Sequence, residues 1–182
     1  MSDKRILLGV TGSIAAYKAA ELVRLMKTRD WDVHVVMTQN GARFVGPITF
    51  QTLSQNPVGI DPWDETVWRP EHIDVSEKAD VFVVAPCTAN TMAKLAHGLA
   101  DDLLSATALA CPAPLIIAPA MNVNMWNHPA TQKNLATLKD RGVGVVDVTT
   151  GDLACGYTGE GRMAEPSDIL DAIDAAYQAQ AR

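Results

Sequence analysis

The sequence predicts an α/β fold: a three-layer sandwich with a mostly parallel central sheet and helices on both faces. Three observations carry this expectation. Short apolar runs alternate along the chain with longer stretches of helical periodicity. The run from Asp80 to Ala85 (D-V-F-V-V-A) is apolar after its first residue, as a strand covered on both faces should be. The turns after these runs carry Gly, Ser, Thr and Asn, and open parallel sheets bind ligands there, at the carboxyl ends of their strands.

The elements follow in order. Arg5 to Val10 (R-I-L-L-G-V) reads as the first strand. Ile14 to Arg29 reads as a helix, with Ala15, Ala19, Leu22 and Met26 on one face. Val33 to Met37 is a second strand, and Asn40 to Gln55 a broken helix whose second piece starts at Pro47. Residues 56 to 70, with Pro57, Pro62, Trp63, Trp68 and Pro70, lack periodicity and read as a loop. A short helix is expected over Val75 to Lys78, then the third strand, Asp80 to Ala85. Helices are expected over Thr88 to His97 and Asp101 to Ala110, and a fourth strand over Leu115 to Ala118. Pro129 to Arg141 reads as a helix stopped by Gly142, and Val143 to Val148 as a fifth strand. Gly151 to Pro166 reads as a Gly-rich loop or hairpin, followed by a last helix, Ser167 to Gln178, with Ser167 as N-cap.

Composition bounds the function. The chain has 182 residues, 48% hydrophobic and 20% charged, which suits one globular domain over 1–182 and excludes a disordered chain. Fifteen Lys+Arg against 21 Asp+Glu give a net charge of −6, which argues against a nucleic-acid binder. No apolar run has the length of a membrane span, and Met1 to Arg5 lacks signal-peptide features. Cys87, Cys111 and Cys155 are odd in number and widely spaced, fitting neither a disulfide framework nor a zinc site. A reduced, cytoplasmic protein is the natural expectation.

Val10-Thr11-Gly12-Ser13-Ile14 joins the first strand to the first helix, a seat suited to phosphate. Gly12 permits close approach, and Thr11 and Ser13 offer hydroxyls. Both G-x-G-x-x-G and the Walker pattern are absent, which leaves a mononucleotide over NAD or ATP. Alone, the turn reads as an ordinary capped helix start. Thr38 follows strand two, Pro86-Cys87-Thr88-Ala89-Asn90-Thr91 follows strand three and Pro119-Ala120-Met121-Asn122 follows strand four. Four polar turns at one sheet edge favour a binding site, and Ala120 with the Met121 backbone leaves room for a flat ring.

Other candidates carry two readings each. His72 is an acid, a base or a carboxylate partner, or else a surface or capping histidine. His34, His97 and His128 read as structural, helix-end and turn residues. Asn122 bonds a carboxylate or caps a helix. Asp101 and Asp102 read as caps rather than a catalytic pair, since neighbours on a helix do not face each other. Cys155 sits in a Gly-rich loop unlike a core position, whereas Cys87 and Cys111 read as buried. Arg162 suits a phosphate or carboxylate clamp.

Gly12-Ser13-Ile14-Ala15-Ala16-Tyr17-Lys18, His72-Ile73, Thr88-Ala89-Asn90, Pro119-Ala120-Met121-Asn122-x-x-Met125-Trp126 and Ala154-Cys155-Gly156-x-x-Gly159-x-Gly161-Arg162-Met163 occur in this order. Together they resemble the flavin-dependent cysteine decarboxylase family, in particular its phosphopantothenoylcysteine-decarboxylating members. The resemblance spans nearly the whole chain and implies a Rossmann-like, flavodoxin-like sandwich. It implies FMN held by Gly12, Ser13, Ile14, Thr38, Thr88, Ala89, Asn90, Thr91 and Ala120, with no metal. It implies His72 as base or carboxylate-orienting residue and Cys155 as proton donor. Asn122, Met125, Arg162 and Met163 would contact substrate, with 150–166 as a clamp loop.

The implied reaction oxidises the substrate thiol, loses carbon dioxide and re-reduces the enethiol, a step of coenzyme A biosynthesis. The resemblance also implies a trimer, in some members a dodecamer, with Pro57 to Pro70 as a contact region. Peptidyl-cysteine decarboxylases, flavin prenyltransferases and non-catalytic regulatory homologues are the alternatives. Cys155 with Arg162 argues for a small phosphorylated substrate, Pro119 to Asn122 argues against a prenyltransferase, and His72, Asn122 and Cys155 together argue against a non-catalytic homologue. Two features depart from the pattern: Cys87 stands where a small residue is expected, and the sequence ends at Arg182, soon after the last helix, where many members continue into a ligase domain, so a stand-alone enzyme and a fragment of a bifunctional protein read alike.

Overall fold

Period-two burial builds the sheet. In strand β1 (Arg5–Val10), Ile6, Leu8 and Val10 enter one hydrophobic layer and Leu7 the opposite one. Strand β4 (Val81–Cys87) is buried throughout and does the same, with Val81, Val83 and Ala85 on the first side and Phe82 and Val84 on the second. The computed structural model describes residues 4–61, 76–152 and 158–180. Its main sheet has the order β3-β2-β1-β4-β5-β6, with every neighbouring pair parallel. The other strands are β2 (Asp32–Met37), β3 (Val58–Gly59), β5 (Leu115–Pro119) and β6 (Gly144–Val145).

The helices cover both faces. Helix α1 (Ala16–Lys27) buries Ala16, Ala19, Leu22, Val23 and Met26 at i, i+3, i+4 spacing and carries Arg24 and Lys27 in its last turn. It shares the first layer with Phe50 of α3 (Pro47–Ser54) and with Ile169, Leu170 and Ile173 of α8 (Pro166–Gln180). Short α2 (Gln39–Phe44) precedes α3. The second layer holds α4 (Ala89–His97), α5 (Leu103–Ala110), α6 (Val123–Trp126) and α7 (Pro129–Asp140), through Met92, Leu104, Trp126 and Leu135 among others. The chain winds outward from β1 to β3, then crosses to the other side of β1 to make β4. The carboxyl ends of β1 and β4 therefore form a topological switch point, where the connections diverge and leave a crevice.

Several expectations need correction. The fifth strand shrinks to Gly144–Val145. It is an edge strand, and Val143, Val145, Val146 and Val148 pack into both layers although only Gly144 and Val145 pair with Ile116 and Ile117. Two-residue β3 lies in the expected loop, and four-residue α6 is too short to show a period. The last helix begins at Pro166, whose fixed φ suits a first turn, so Ser167 lies inside it rather than capping it. Among the described residues no helix is long and apolar enough to cross a membrane.

The Gly-rich segment is a hairpin of β7 (Thr149–Asp152) and β8 (Thr158–Arg162), antiparallel and separate from the main sheet. It docks through the Gly161 carbonyl, which accepts a hydrogen bond from the Met121 N–H at 3.0 Å. Gly161 has φ +128°, and a Cβ there would lie 2.4 Å from the Met121 oxygen. Gly161→Ala should therefore cost about 2–4 kcal/mol through strain and a lost docking contact. Urea denaturation checks this, and a cost within error of zero would mean that the hairpin is not docked as described.

Candidate functional site

A cleft of about 840 Å³ opens at the carboxyl edge of the sheet, over the switch point. Gly12, Ser13 and Ile14 come to it from the turn after β1, and Thr38 from the turn after β2. Thr88, Ala89, Asn90 and Thr91 line it from the start of α4, and Ala120 from the end of β5. All nine residues expected to hold the mononucleotide thus share one cavity. Met125, about half exposed on α6, also lines it.

Local bonding explains how the turns are held. Thr11 is buried, and its hydroxyl donates to the Pro86 carbonyl at 2.6 Å while accepting from the Thr88 N–H at 3.2 Å. This corrects the expectation that Thr11 offers its hydroxyl to a ligand: it joins the turn after β1 to the turn after β4. Thr38 Oγ1 accepts from the Gly41 N–H, Thr88 Oγ1 from the Thr91 N–H, and Ser13 Oγ from the Ala15 N–H. Thr38 and Thr88 thus cap their own helix starts, whereas the Ser13 bond lies within the turn that leads into α1. The N–H groups of Gly12, Ile14, Ala89 and Asn90 make no hydrogen bond among the described residues. Gly12 is required by packing, since a Cβ there would lie 2.6 Å from that of Asn40.

The other predicted residues separate. Asn122 caps α6, its Oδ1 accepting from the Asn124 N–H at 2.8 Å. Arg162 is exposed and pairs with Glu165 at 2.9 Å, outside the cleft lining. Met163 is fully buried in the first hydrophobic layer, which corrects its expected substrate contact: its side chain faces the core and only its carbonyl meets Lys18, at 3.2 Å. Lys18, itself buried, also pairs with Glu165 at 2.9 Å, and that hydrogen bond holds the Glu165 carboxyl below its ordinary pKa. His72 and Cys155 lie outside the described residues.

Cys87 packs in the second layer, and burial pushes its thiol up to about 12, so it is an inert core residue. Cys111 is only half-buried, with Sγ 3.2 Å from the Ser76 carbonyl, because it ends α5 near the surface. His34 bonds Asp32, His97 ends α4 beside Asn134, and His128 caps α7.

Sequence reasoning missed part of the wall. Lys94, Asp101, Asp102 and Asp61 line the same cleft. Lys94 stands at i+4 from Asn90 and i+3 from Thr91, a spacing that places all three on one helix face. Asp102 does cap α5, in a capping box with Ser105. Burial raises its pKa, but hydrogen bonds from Lys94 and Ser105 outweigh that and hold it below the ordinary value.

The comparisons with known proteins agree with this architecture. The Flavoprotein family model matches residues 1–178, and the chain belongs to that family. The chain is 44% identical over 173 residues to the coenzyme A biosynthesis bifunctional protein CoaBC of Bacillus subtilis, covering 93% of this chain and 42% of that protein. It is 43% identical over 176 residues to the corresponding protein of Haemophilus influenzae, covering 95% and 44%. The chain thus spans less than half the length of these curated relatives. Among solved structures, a PPC decarboxylase mutant complexed with pantothenoylaminoethenethiol matches with a TM-score of 0.84 and 33% identity, over 97% of this chain and 99% of that one. The FMN binding protein AtHal3 matches with a TM-score of 0.83 and 34% identity, over 99% and 100%.

Two outcomes follow from the bonding. Thr11→Val strands the Pro86 carbonyl and the Thr88 N–H and should cost about 1–3 kcal/mol in urea denaturation, while Thr11→Ser retains most of that. A neutral Thr11→Val would show that the two turns are not joined through this hydroxyl. Asp102 has a lowered folded pKa, so its contribution is fully present above its unfolded pKa near ~4 and is lost as pH falls through the folded value. Asp102→Asn should lower Tm at neutral pH, and the gap to the native protein should narrow toward about pH 3. A gap that stays constant over that range contradicts the assignment.

Proposed function

We propose that the chain is an FMN-dependent decarboxylase that converts 4′-phosphopantothenoylcysteine to 4′-phosphopantetheine, a step of coenzyme A biosynthesis. The observation that carries the reading is the pair of helix-start turns held side by side by Thr11, with four N–H groups at one cleft that have no partner among the described residues. Backbone N–H groups at adjacent helix starts fit the phosphate of a mononucleotide. Family membership and the solved relatives named as an FMN binding protein and a PPC decarboxylase support the same reading.

When bound, FMN supplies a reversible two-electron sink, without which carboxylate loss from a saturated carbon would leave an unstabilised carbanion. Gly12, Ser13, Ile14, Thr38, Thr88, Ala89, Asn90 and Thr91 would hold FMN, the N–H groups of the two helix starts suiting its phosphate. Ala120 presents only a methyl group to the flat ring. Asn122, fixed by capping α6, orients the substrate carboxylate, and Met125 shapes the mouth. His72 serves as base or carboxylate partner. Cys155 gives a proton to the carbon that has lost the carboxylate, since a thiol with an ordinary pKa of about 8.5 is mostly protonated at neutral pH. Arg162 clamps the substrate phosphate by exchanging Glu165 for it.

A homotrimer is part of this reading, with a dodecamer as the further assembly that some family members form, and with Pro57 to Pro70 as the candidate contact region. Ile14, Tyr17, Phe44 and Ile48 are each more than half exposed, and Ile14 and Phe44 line the cleft, which supports self-association. The protein acts in the cytoplasm as a single flavoprotein unit over 1–182.

Purified protein should be yellow and release FMN on denaturation. With phosphopantothenoylcysteine it should give a product lighter by one carbon dioxide by mass spectrometry. Cys155→Ser should still decarboxylate but accumulate the oxidised enethiol. An unchanged substrate mass overturns the reading, and normal turnover by Cys155→Ser removes that residue from it.

A further inference from the structure

Lys94 extends the cleft beyond the helix start. It lies five residues past Ala89, about 7.5 Å along the α4 axis. Its Nζ is 2.6 Å from Asp101 Oδ1 and 2.7 Å from Asp102 Oδ2. Gly98, at φ +67°, ends α4 and turns the chain so that Asp101 and Asp102 return to Lys94.

The two carboxylates are not equivalent. Asp102 accepts from the Ser105 N–H at 2.8 Å and from its hydroxyl at 2.9 Å, so it is locked in place as a cap and anchors Lys94. The Asp101 side chain is 67% exposed, and its only ion pair among the described residues is with Lys94. Asp101 is therefore able to turn toward a bound group without breaking the fold.

Charge decides what kind of group. One ammonium stands between two carboxylates, those of Asp101 and Asp102, on this part of the wall. A phosphate is repelled here and favoured at the unpaired N–H groups of Gly12, Ile14, Ala89 and Asn90. An uncharged group that both accepts and donates hydrogen bonds fits instead. The pyrimidine ring of a flavin presents such an edge, the imide O=C–NH–C=O.

We propose that Lys94 and Asp101 read the imide edge of the flavin ring, Lys94 donating to a ring carbonyl and Asp101 accepting from the imide N–H. The inference rests on the flavin reading above and adds which residues recognise the ring rather than the phosphate. Asp102 and Ser105 are positioning residues that keep Lys94 at the wall.

The test uses the flavin-stripped protein and titrates two ligands by fluorescence: FMN, and FMN methylated on the imide nitrogen. The native protein should bind the methylated form about tenfold more weakly, the effect of losing one hydrogen bond to a charged group. Asp101→Ala, at an exposed side chain, should keep its Tm and lose that preference, binding both flavins within about twofold. Lys94→Met should weaken both flavins and lower the flavin midpoint potential, since a positive charge beside the ring carbonyl favours the reduced, more electron-rich ring. Full retention of the preference by Asp101→Ala overturns this inference and leaves the flavin reading intact. A native protein that binds neither flavin overturns both.

Discussion

One buried hydroxyl couples the parts of this site. Thr11 Oγ1 bonds the Pro86 carbonyl and the Thr88 N–H, and so fixes the turn after β1 against the turn after β4. The two strands are neighbours in the sheet, but their connections leave in opposite directions, and nothing in the backbone ladder sets the spacing of the turns beyond the last paired residues. The hydroxyl supplies that constraint. With it, the N–H groups at the starts of α1 and α4 converge on one cleft instead of serving two unrelated helix ends.

The rest of the molecule supports this clasp from both sides. The first hydrophobic layer carries α1 on β1 and β4, and the second carries α4 on β4 and β5. At the far edge, Lys4 sits 4.7 Å from the Trp31 ring and 4.3 Å from that of Tyr177, bonds Asp174, and so ties α8 to the start of β1. Near the cleft, the hairpin stem is attached at two points. Its Gly161 carbonyl meets Met121, and Lys18 reaches from α1 to the Met163 carbonyl and to Glu165. Strands β7 and β8 are therefore docked beside the same wall that holds Ala120 and Met125.

Much of this was legible in the sequence. The alternation in Arg5 to Val10 and the apolar run after Asp80 announce the strands, and the polar turns after them announce the cleft. What was not legible is the direction in which individual side chains point. Thr11 and Ser13 look alike in a turn, yet one is buried and structural while the other lines the cleft. Met163 stands one residue beyond a strand beside the site and faces the core. The ion cluster of Lys94 with Asp101 and Asp102 needs the turn at Gly98 to assemble, so linear spacing reveals the cap but not the pairing. Val143 to Val148 has the composition of a full strand, but an edge position leaves it few partners.

The central claim is that two helix starts joined by Thr11 receive one phosphate-bearing ligand. Backbone amide NMR of nitrogen-15-labelled, flavin-stripped protein, titrated with FMN, tests it most directly. The account predicts that the amides of Gly12, Ile14, Ala89 and Asn90 shift together and saturate at the same FMN concentration. Shifts confined to one of the two turns, or absent from both while FMN binds, would contradict it.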